Sequence, residues 1–399
     1  MTVNRDNNTT EELFIDIYCS QRNCKDEIIC GDTFLFKRID NGNRSIIVLS
    51  DGMGHGVKAN ILSTLTASMI INFDHNRDDI KTMAEMLLST LPICSVRKIC
   101  YSTFTIIDIN LVTAVATLIE YDNPACIVLR DGKELDCEWE NTTFESISKR
   151  QTIKTTSFSI KEGDRIIAMS DGVTQSGVGS KNYAFGWKRD RVLSFIESHI
   201  NIDPNCPSKF LAQAVVKKAV EIDNYYTKDD ISCAVVTICS PKSLLLCSCP
   251  PQNPSYNGKL MEVLDGFVGK KVVCGYHLAK LISSLSGKEI VRSPISPDAD
   301  VQPLWYMDGV EFITESLVTL NKVYSLLQSH SMDDEGEGAA YEVYRLLLES
   351  DTITILMGMS HENGGEYMVD EYELRRKVMG YIARILERKY MKEVNIIYN

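Results

Sequence analysis

Twice in this chain an apolar strand runs straight into Ser-Asp-Gly. The first copy is Ile46-Ile-Val-Leu-Ser-Asp51-Gly-Met-Gly-His-Gly56 and the second is Arg165-Ile-Ile-Ala-Met-Ser-Asp171-Gly172. Four apolar residues in a row, Ile46 to Leu49, read as a buried strand. An acidic residue on a rigid strand end, beside glycines that let backbone approach a ligand closely, suits a hard metal ion. A single copy also fits a tight strand-to-helix turn with a solvated aspartate. The repetition favours the ion.

The rest of the chain supplies partners for these two ends. Gly31-Asp32 opens another strand, running to Phe36, and Asp40-Asn-Gly42 is a hairpin signal linking that strand to Ile46–Leu49. A hairpin there sets Asp32 and Asp51 at one end of one sheet. Asp229 and Asp230 stand directly before the apolar strand Ile231–Ile238. Crowded carboxylates repel one another and resist desolvation, so Asp32, Asp51, Asp171 and Asp230 together call for a cation. An all-oxygen donor set selects Mg²⁺ or Mn²⁺ over zinc, and His55 is the one histidine nearby.

At 399 residues the chain is long enough for two domains. A formal net charge of −12 argues against non-specific nucleic-acid binding. Thirteen cysteines are scattered through apparent strands and helices, as buried reduced thiols are. Cys247-Ser-Cys249 lacks the spacing of a zinc site. Met1 to Thr10 is polar with no apolar signal core, and no run approaches ~18 apolar residues. A cytoplasmic protein without membrane contact is expected.

A strand is expected over Leu13–Cys19, and an apolar helical stripe at Val57, Ile61, Leu62, Leu65, Met69 and Ile70. A second helix is expected over Asp79–Leu91, followed by strands Ser102–Ile109, Thr113–Tyr121 and Ala125–Leu129, with Asp108 on a solvated face. Gly172–Gly186 reads as a functional loop, and helices follow near Arg189–His199 and Ser208–Tyr225. Residues 241–257, with Pro250, Pro251 and Pro254, read as a linker between a domain of residues 1–240 and a smaller α/β domain of residues 258–399. The second domain is expected to hold a strand at Lys271–Cys274, a helix closed by Gly287, a long helix over Met307–Leu327 and an acidic loop at Met332–Gly338. A helix from Ala339, a strand Thr352–Met357, a helix Glu371–Lys389 and a strand Val394–Tyr398 complete it.

Asp51-Gly-Met-Gly-His-Gly-Val-Lys-Ala59, Ser102-Thr-Phe-Thr-Ile-Ile-Asp108, Gly163-Asp-Arg-Ile-Ile-Ala-Met-Ser-Asp171-Gly172 and Asp229-Asp230-Ile-Ser232 resemble successive motifs of the SpoIIE-type phosphatases. These are the bacterial branch of the metal-dependent protein Ser/Thr phosphatases of type 2C. The resemblance covers roughly residues 10–240 and implies an α+β fold, an α-β-β-α sandwich of two antiparallel sheets. It implies two Mn²⁺ or Mg²⁺ ions bridged by Asp51, with the Gly52 carbonyl helping to bind one. Asp171 and Asp230 complete one ion, and Asp32 supports the other through water. The implied reaction is hydrolysis of phosphoserine or phosphothreonine on a protein, with a bridging hydroxide as nucleophile. Met53 stands where eukaryotic members carry a proposed general-acid histidine; His55, four residues after Asp51, reads either as a leaving-group acid or as a turn-stabilising or solvent-facing histidine.

Residues 258–399 resemble, through Lys271-Val-Val-Cys-Gly275, Asp308-Gly-Val-Glu-Phe-Ile-Thr-Glu-Ser-Leu-Val-Thr-Leu-Asn-Lys322 and Lys392-Glu-Val, the extra domain of hydrogenase-associated phosphatases. The partners expected are a phosphoprotein substrate, a regulatory partner or small ligand at the second domain, and a second copy of the chain as a homodimer. Two other functions fit the same residues. One is a non-catalytic signalling module that keeps the phosphatase fold, and the other is a phosphohydrolase of small metabolites.

Overall fold

The structure, a computed structural model, describes residues 13–73, 82, 86, 102–146, 149–251, 253–292, 304–315, 317–329, 336–358 and 366–398. The chain divides into two compact units, Met1–Ser240 and Pro241–Asn399. The first runs β1 (Phe14–Arg22), β2 (Thr33–Ile39), β3 (Arg44–Gly52), α1 (Gly56–Ile71), β4 (Ser102–Asn110), β5 (Val115–Tyr121), β6 (Ile127–Arg130), β7 (Lys133–Glu134), β8 (Glu140–Ser146), β9 (Lys149–Ser159) and β10 (Arg165–Met169). The one-turn helix α2 (Asp171–Thr174), then α3 (Arg189–Ile202), α4 (Ser208–Ile222) and β11 (Ile231–Cys239) complete it.

Two antiparallel sheets result, ordered β1-β11-β10-β6-β7 and β2-β3-β4-β5-β9-β8. Helix α1 packs on β2, β3 and β4, and α4 packs on β1 and β11 with α3 beside it. This is the α-β-β-α sandwich that the resemblance implies. Layering explains why β3 is apolar without interruption. Ile46 and Val48 share a core with Ala67, Ile70 and Ile71 of α1. Ile47 and Leu49, also buried, alternate to the opposite face, toward the inter-sheet layer. In β11, likewise, Ile231, Cys233 and Val235 meet the helices while Ala234 and Val236 are buried on the other side.

Three expectations need correction here. Only the end of the expected stripe faces the core, where Ile70 is buried with Met69 packed beside it; Val57, Ile61 and Leu65 are 62%, 60% and 48% exposed. Ala59, Ser63, Thr66 and Ala67 are buried instead, because α1 lies too close to the chain beneath it for large side chains. Ser63 Oγ donates to the Gly31 carbonyl at 2.5 Å and meets Thr33 Oγ1 at 2.7 Å. Asp108 is not solvated: it is buried, and Arg44 grips it with two hydrogen bonds of 2.9 and 2.6 Å. A buried carboxylate needs such a partner. The hairpin β8–β9, edge of the second sheet, is absent from the expected strands, since its polar, threonine-rich strands carry little apolar alternation. The helix expected at Asp79–Leu91 lies outside the described residues apart from Thr82 and Met86.

The second unit runs β12 (Ser243–Ser248), α5 (Asn257–Gly266), β13 (Lys270–Cys274), α6 (Tyr276–Ser286), β14 (Val291–Arg292), β15 (Trp305–Met307), β16 (Val310–Thr314), α7 (Leu317–Gln328), α8 (Ala339–Glu349), β17 (Thr352–Met357), α9 (Glu366–Arg388) and β18 (Glu393–Tyr398). Its mixed sheet has the order β14-β15-β16-β13-β12-β17-β18, parallel from β16 through β18. The supposed linker therefore contains the central strand: β12 lies between β13 and β17, and the prolines come after it. The helix expected over Met307–Leu327 is also corrected. Asp308-Gly309, with Gly309 at φ 80°, turns β15 into β16, which pairs with β13 before α7 begins. Gly287 does close α6, in the left-handed conformation. Most of the acidic loop at Met332–Gly338 lies outside the described residues. No described helix is long and apolar enough to cross a membrane.

Candidate active site

Strand register gathers the carboxylates. Thr33 pairs with Ser50, so Asp32 lies next to Asp51 across the hairpin. In the other sheet Met169 pairs with Cys233, and Ser170 N donates to the Ser232 carbonyl at 3.0 Å. That places Asp171 beside the start of β11, where Asp229 and Asp230 stand. The two sheets are stitched together at this end. Ser232 Oγ donates to Asp32 Oδ2 at 2.6 Å, and Gln21 Nε2 donates to the Asp32 carbonyl at 3.3 Å and to Ser232 Oγ at 3.0 Å.

Both Asp-Gly pairs are required by close backbone approach. A Cβ on Gly52 would sit 2.0 Å from the Ala59 carbonyl oxygen of α1, and one on Gly172 would sit 2.1 Å from that of Asp230. Gly31 is held the same way, with a Cβ there falling 2.7 Å from Asp230 Oδ2. Each aspartate is thus set by a neighbour that tolerates no side chain.

Crowding strains the site electrostatically. Burial, outweighing the hydrogen bond from Ser232, lifts the Asp32 carboxyl to about 7. Burial also raises Asp51 well above the carboxylate range, and repulsion from Asp32, Asp171 and Asp229 adds to it. Asp229 rises to about 6 through burial and the neighbouring Asp171. Asp171 accepts from Gln175 Nε2 at 2.7 Å, and Asp230 Oδ1 from Cys24 N at 2.9 Å. Asp230 Oδ2 is buried without a hydrogen-bond partner among the described residues.

These features fit a hard cation. An orphaned buried carboxylate oxygen, acids that protonate for want of a counter-charge, and an oxygen-only donor set all point that way. The arrangement is one of neighbouring acids and not a closed cage: among the described residues no three His, Cys, Asp or Glu side chains are gathered closely enough to enclose an ion.

An open cleft of about 660 Å³ lies over the site, lined by Asp51, Asp171 and Asp229 on one side and by Thr103, Asn123 and Lys188 among others. Asp229, which the sequence offers only as the neighbour of Asp230, is the member of that pair that faces the cleft. Asp32 and Asp230 stand behind it, 3% and 2% exposed. His55 turns elsewhere: its Nδ1 meets Glu27 Oε1 at 2.6 Å, with the imidazole half exposed. Sequence reasoning does not single out Glu27, Ser232 or Lys188. Ser232 lies inside a recognised motif, whereas Glu27 and Lys188 gain their neighbours only through folding.

The family model described as stage II sporulation protein E (SpoIIE) matches residues 41–238. That part of the chain belongs to the SpoIIE family. The match ends before the second unit, so it lends no support to the hydrogenase-associated resemblance there. No curated protein matches the chain. Among solved structures, the SpoIIE phosphatase domain from Bacillus subtilis is similar at 17% identity and TM-score 0.42, covering 58% of this chain and 94% of its own. RsbX in complex with magnesium is similar at 20% identity and TM-score 0.39, covering 56% and 95%. The S. agalactiae serine/threonine phosphatase is similar at 14% identity and TM-score 0.39, covering 56% and 99%.

Proposed function

We propose that the first unit is a divalent-cation-dependent protein Ser/Thr phosphatase. The observation that carries this reading is the gathering of Asp51, Asp171 and Asp229 on one cleft with Asp32 and Asp230 buried behind it, in a domain of the SpoIIE family. Asp51 is central, since it feels Asp32 on one side and Asp171 and Asp229 on the other. It would bridge two Mn²⁺ or Mg²⁺ ions, with the Gly52 carbonyl beside it. Asp171 and Asp229 would hold one ion from the cleft side, while Asp32 and Asp230 support the pair from behind. Bound there, such ions neutralise the carboxylates, polarise a phosphoryl oxygen and make water nucleophilic at neutral pH.

The chain's own groups do the positioning. Ser232 and Gln21 fix Asp32, and Gln175 fixes Asp171. Glu27 accepts a hydrogen bond from His55 Nδ1 outside the cleft lining, so His55 would reach a leaving alkoxide only through Nε2 and only once the ring turns toward the cleft. We assign the second unit a regulatory or partner-binding role.

The test is Mn²⁺-stimulated release of phosphate from an aryl phosphate and from a phosphoserine peptide by the full chain. Loss of both in Asp51→Asn and in Asp171→Asn is expected. Activity persisting in excess chelator, or in both variants, would sink the assignment. Trapping a phosphoprotein with Asp171→Asn separates a protein substrate from a small metabolite.

A further inference from the structure

The segment that ends the glycine-rich loop is built to present two side chains at the cleft. Trp187 is its anchor, buried at 4% exposure and packed edge-on against Phe195 at 5.4 Å. On either side of the anchor, Phe185 is 78% exposed and Lys188 is exposed, and both line the cleft. The segment lies directly on the turn that carries Asp171: Lys188 N donates to the Thr174 carbonyl at 2.8 Å. Gly186 (φ 80°) makes this contact possible, since a Cβ there would meet the Thr174 carbonyl at 2.5 Å.

Lys188 holds a backbone that suits glycine, φ 65° and ψ 147°. A non-glycine residue in such a conformation persists when something other than local preference selects the side chain. The cleft shows what this lysine offers. It is lined by four carboxylates, Asp51, Asp122, Asp171 and Asp229, and by two cationic residues among those described, Lys188 and Arg189. Arg189 is already engaged, by the carbonyls of Ala125 at 3.0 Å and Cys126 at 2.7 Å and by Glu134. The ammonium of Lys188 rests over the Phe185 ring, 5.0 Å from its centre, an arrangement easily exchanged for an anion.

We propose that Lys188 and Phe185 form the substrate-recognition lip of the cleft. Lys188 pairs with the phosphoryl oxygens of a phosphorylated Ser or Thr, and Phe185 takes an apolar side chain next to that residue in the peptide. A dianionic phosphate approaching four acids needs a mobile cation at the entrance, and a flexible lysine supplies one. The inference rests on the phosphatase reading, but its failure looks different. If the wild-type chain releases no phosphate from phosphopeptides in Mn²⁺, the phosphatase reading falls and this one with it. If wild type is active and the lip variants behave as wild type, only the lip falls.

The experiment measures kcat and KM of the full chain on phosphoserine peptides with Leu or Gly beside the phosphoserine, and the competition constant of inorganic phosphate. Lys188→Ala and Lys188→Gly are expected to raise KM and the phosphate constant about tenfold, as loss of one charge-assisted contact does, with kcat changed less than about threefold. Lys188→Arg is expected to restore most of the loss. Lys188→Gly should at the same time melt about 2 °C higher, because glycine relieves the backbone, so lost affinity with gained stability excludes a structural cause. Phe185→Ala should raise KM about fivefold more for the Leu peptide than for the Gly peptide. Unchanged KM and phosphate constant in Lys188→Gly, or a fall in kcat alone, would overturn the assignment.

Discussion

Ser50-Asp51-Gly52 and Ser170-Asp171-Gly172 are the same tripeptide in the same place, the end of a central strand, one in each sheet. Both serines are buried, and both glycines face a carbonyl oxygen across a gap too small for a methyl group. The two chains of residues leaving them differ. After Asp51 the chain passes through Gly54 and Gly56, both at positive φ, into the sixteen-residue α1. After Asp171 it makes a single helical turn, and Gln175 reaches back to the carboxylate. Asp51 therefore sits among acids, while Asp171 has an amide donor. One local motif fixes position in both places, and its surroundings set the charge. Asp51 is the member that needs a cation most.

The largest effect should come from removing that charge. Asp51→Asn is expected to lower metal-dependent kcat/KM by about 10³-fold or more, and Asp171→Asn by about 10²-fold, since each would remove a proposed ligand of the cation centre. Steady-state phosphate release in Mn²⁺ measures both. Equal losses would erase the asymmetry between the two ends.

The glycines should behave alike where the aspartates do not. Gly52→Ala and Gly172→Ala each drive a methyl group into a backbone carbonyl and are expected to destabilise the unit by about 3 kcal/mol. Gly54→Ala, where no atom lies within 4 Å, carries only the left-handed penalty of about 1 kcal/mol. Urea denaturation distinguishes the two cases. A Gly172→Ala protein as stable as wild type would show that α2 yields readily.

Acid crowding also predicts a pH dependence. Burial raises Asp32 to about 7 and Asp229 to about 6, so the metal-free folded state holds protons that the unfolded chain has released. The stability these groups contribute is complete below a pH of about 4, the unfolded carboxylate value, and is lost as the pH rises to about 7. Metal-free protein should melt at a lower temperature at pH 8 than at pH 6, and saturating Mn²⁺ should raise the melting temperature more at pH 8. Equal gains at the two pH values would show that these acids are already compensated.

The smallest effect is assigned to the side of the first turn that points away from the cleft. Because His55 is held by Glu27 outside the cleft lining, Glu27→Gln is expected to change kcat less than about tenfold in steady-state phosphate release. A larger fall would place the Glu27–His55 pair on the proton path.

Much of the site is legible in the sequence because the clustered carboxylates are strand punctuation. An apolar run ended by Ser-Asp-Gly announces both the strand and the carboxylate, and Asp40-Asn-Gly42 announces the hairpin that brings Asp32 alongside. Local spacing does not choose between Asp229 and Asp230, since that depends on which residue the start of β11 turns toward the cleft. Nor does it show that Val57, Ile61 and Leu65 face outward, because the helical period fixes a stripe but not the side on which the sheet lies. In the second unit, prolines after β12 conceal a central strand. An apolar period spanning Met307–Leu327 conceals a turn at Asp308-Gly309.

The central claim is that Asp51 joins two cations into one centre. Equilibrium titration of metal-free full chain with Mn²⁺, following the free ion by its paramagnetic resonance, tests this without relying on turnover. The two-metal reading predicts two strongly held ions in wild type and loss of both from the strong class in Asp51→Asn. Two ions held as tightly by Asp51→Asn as by wild type would contradict it.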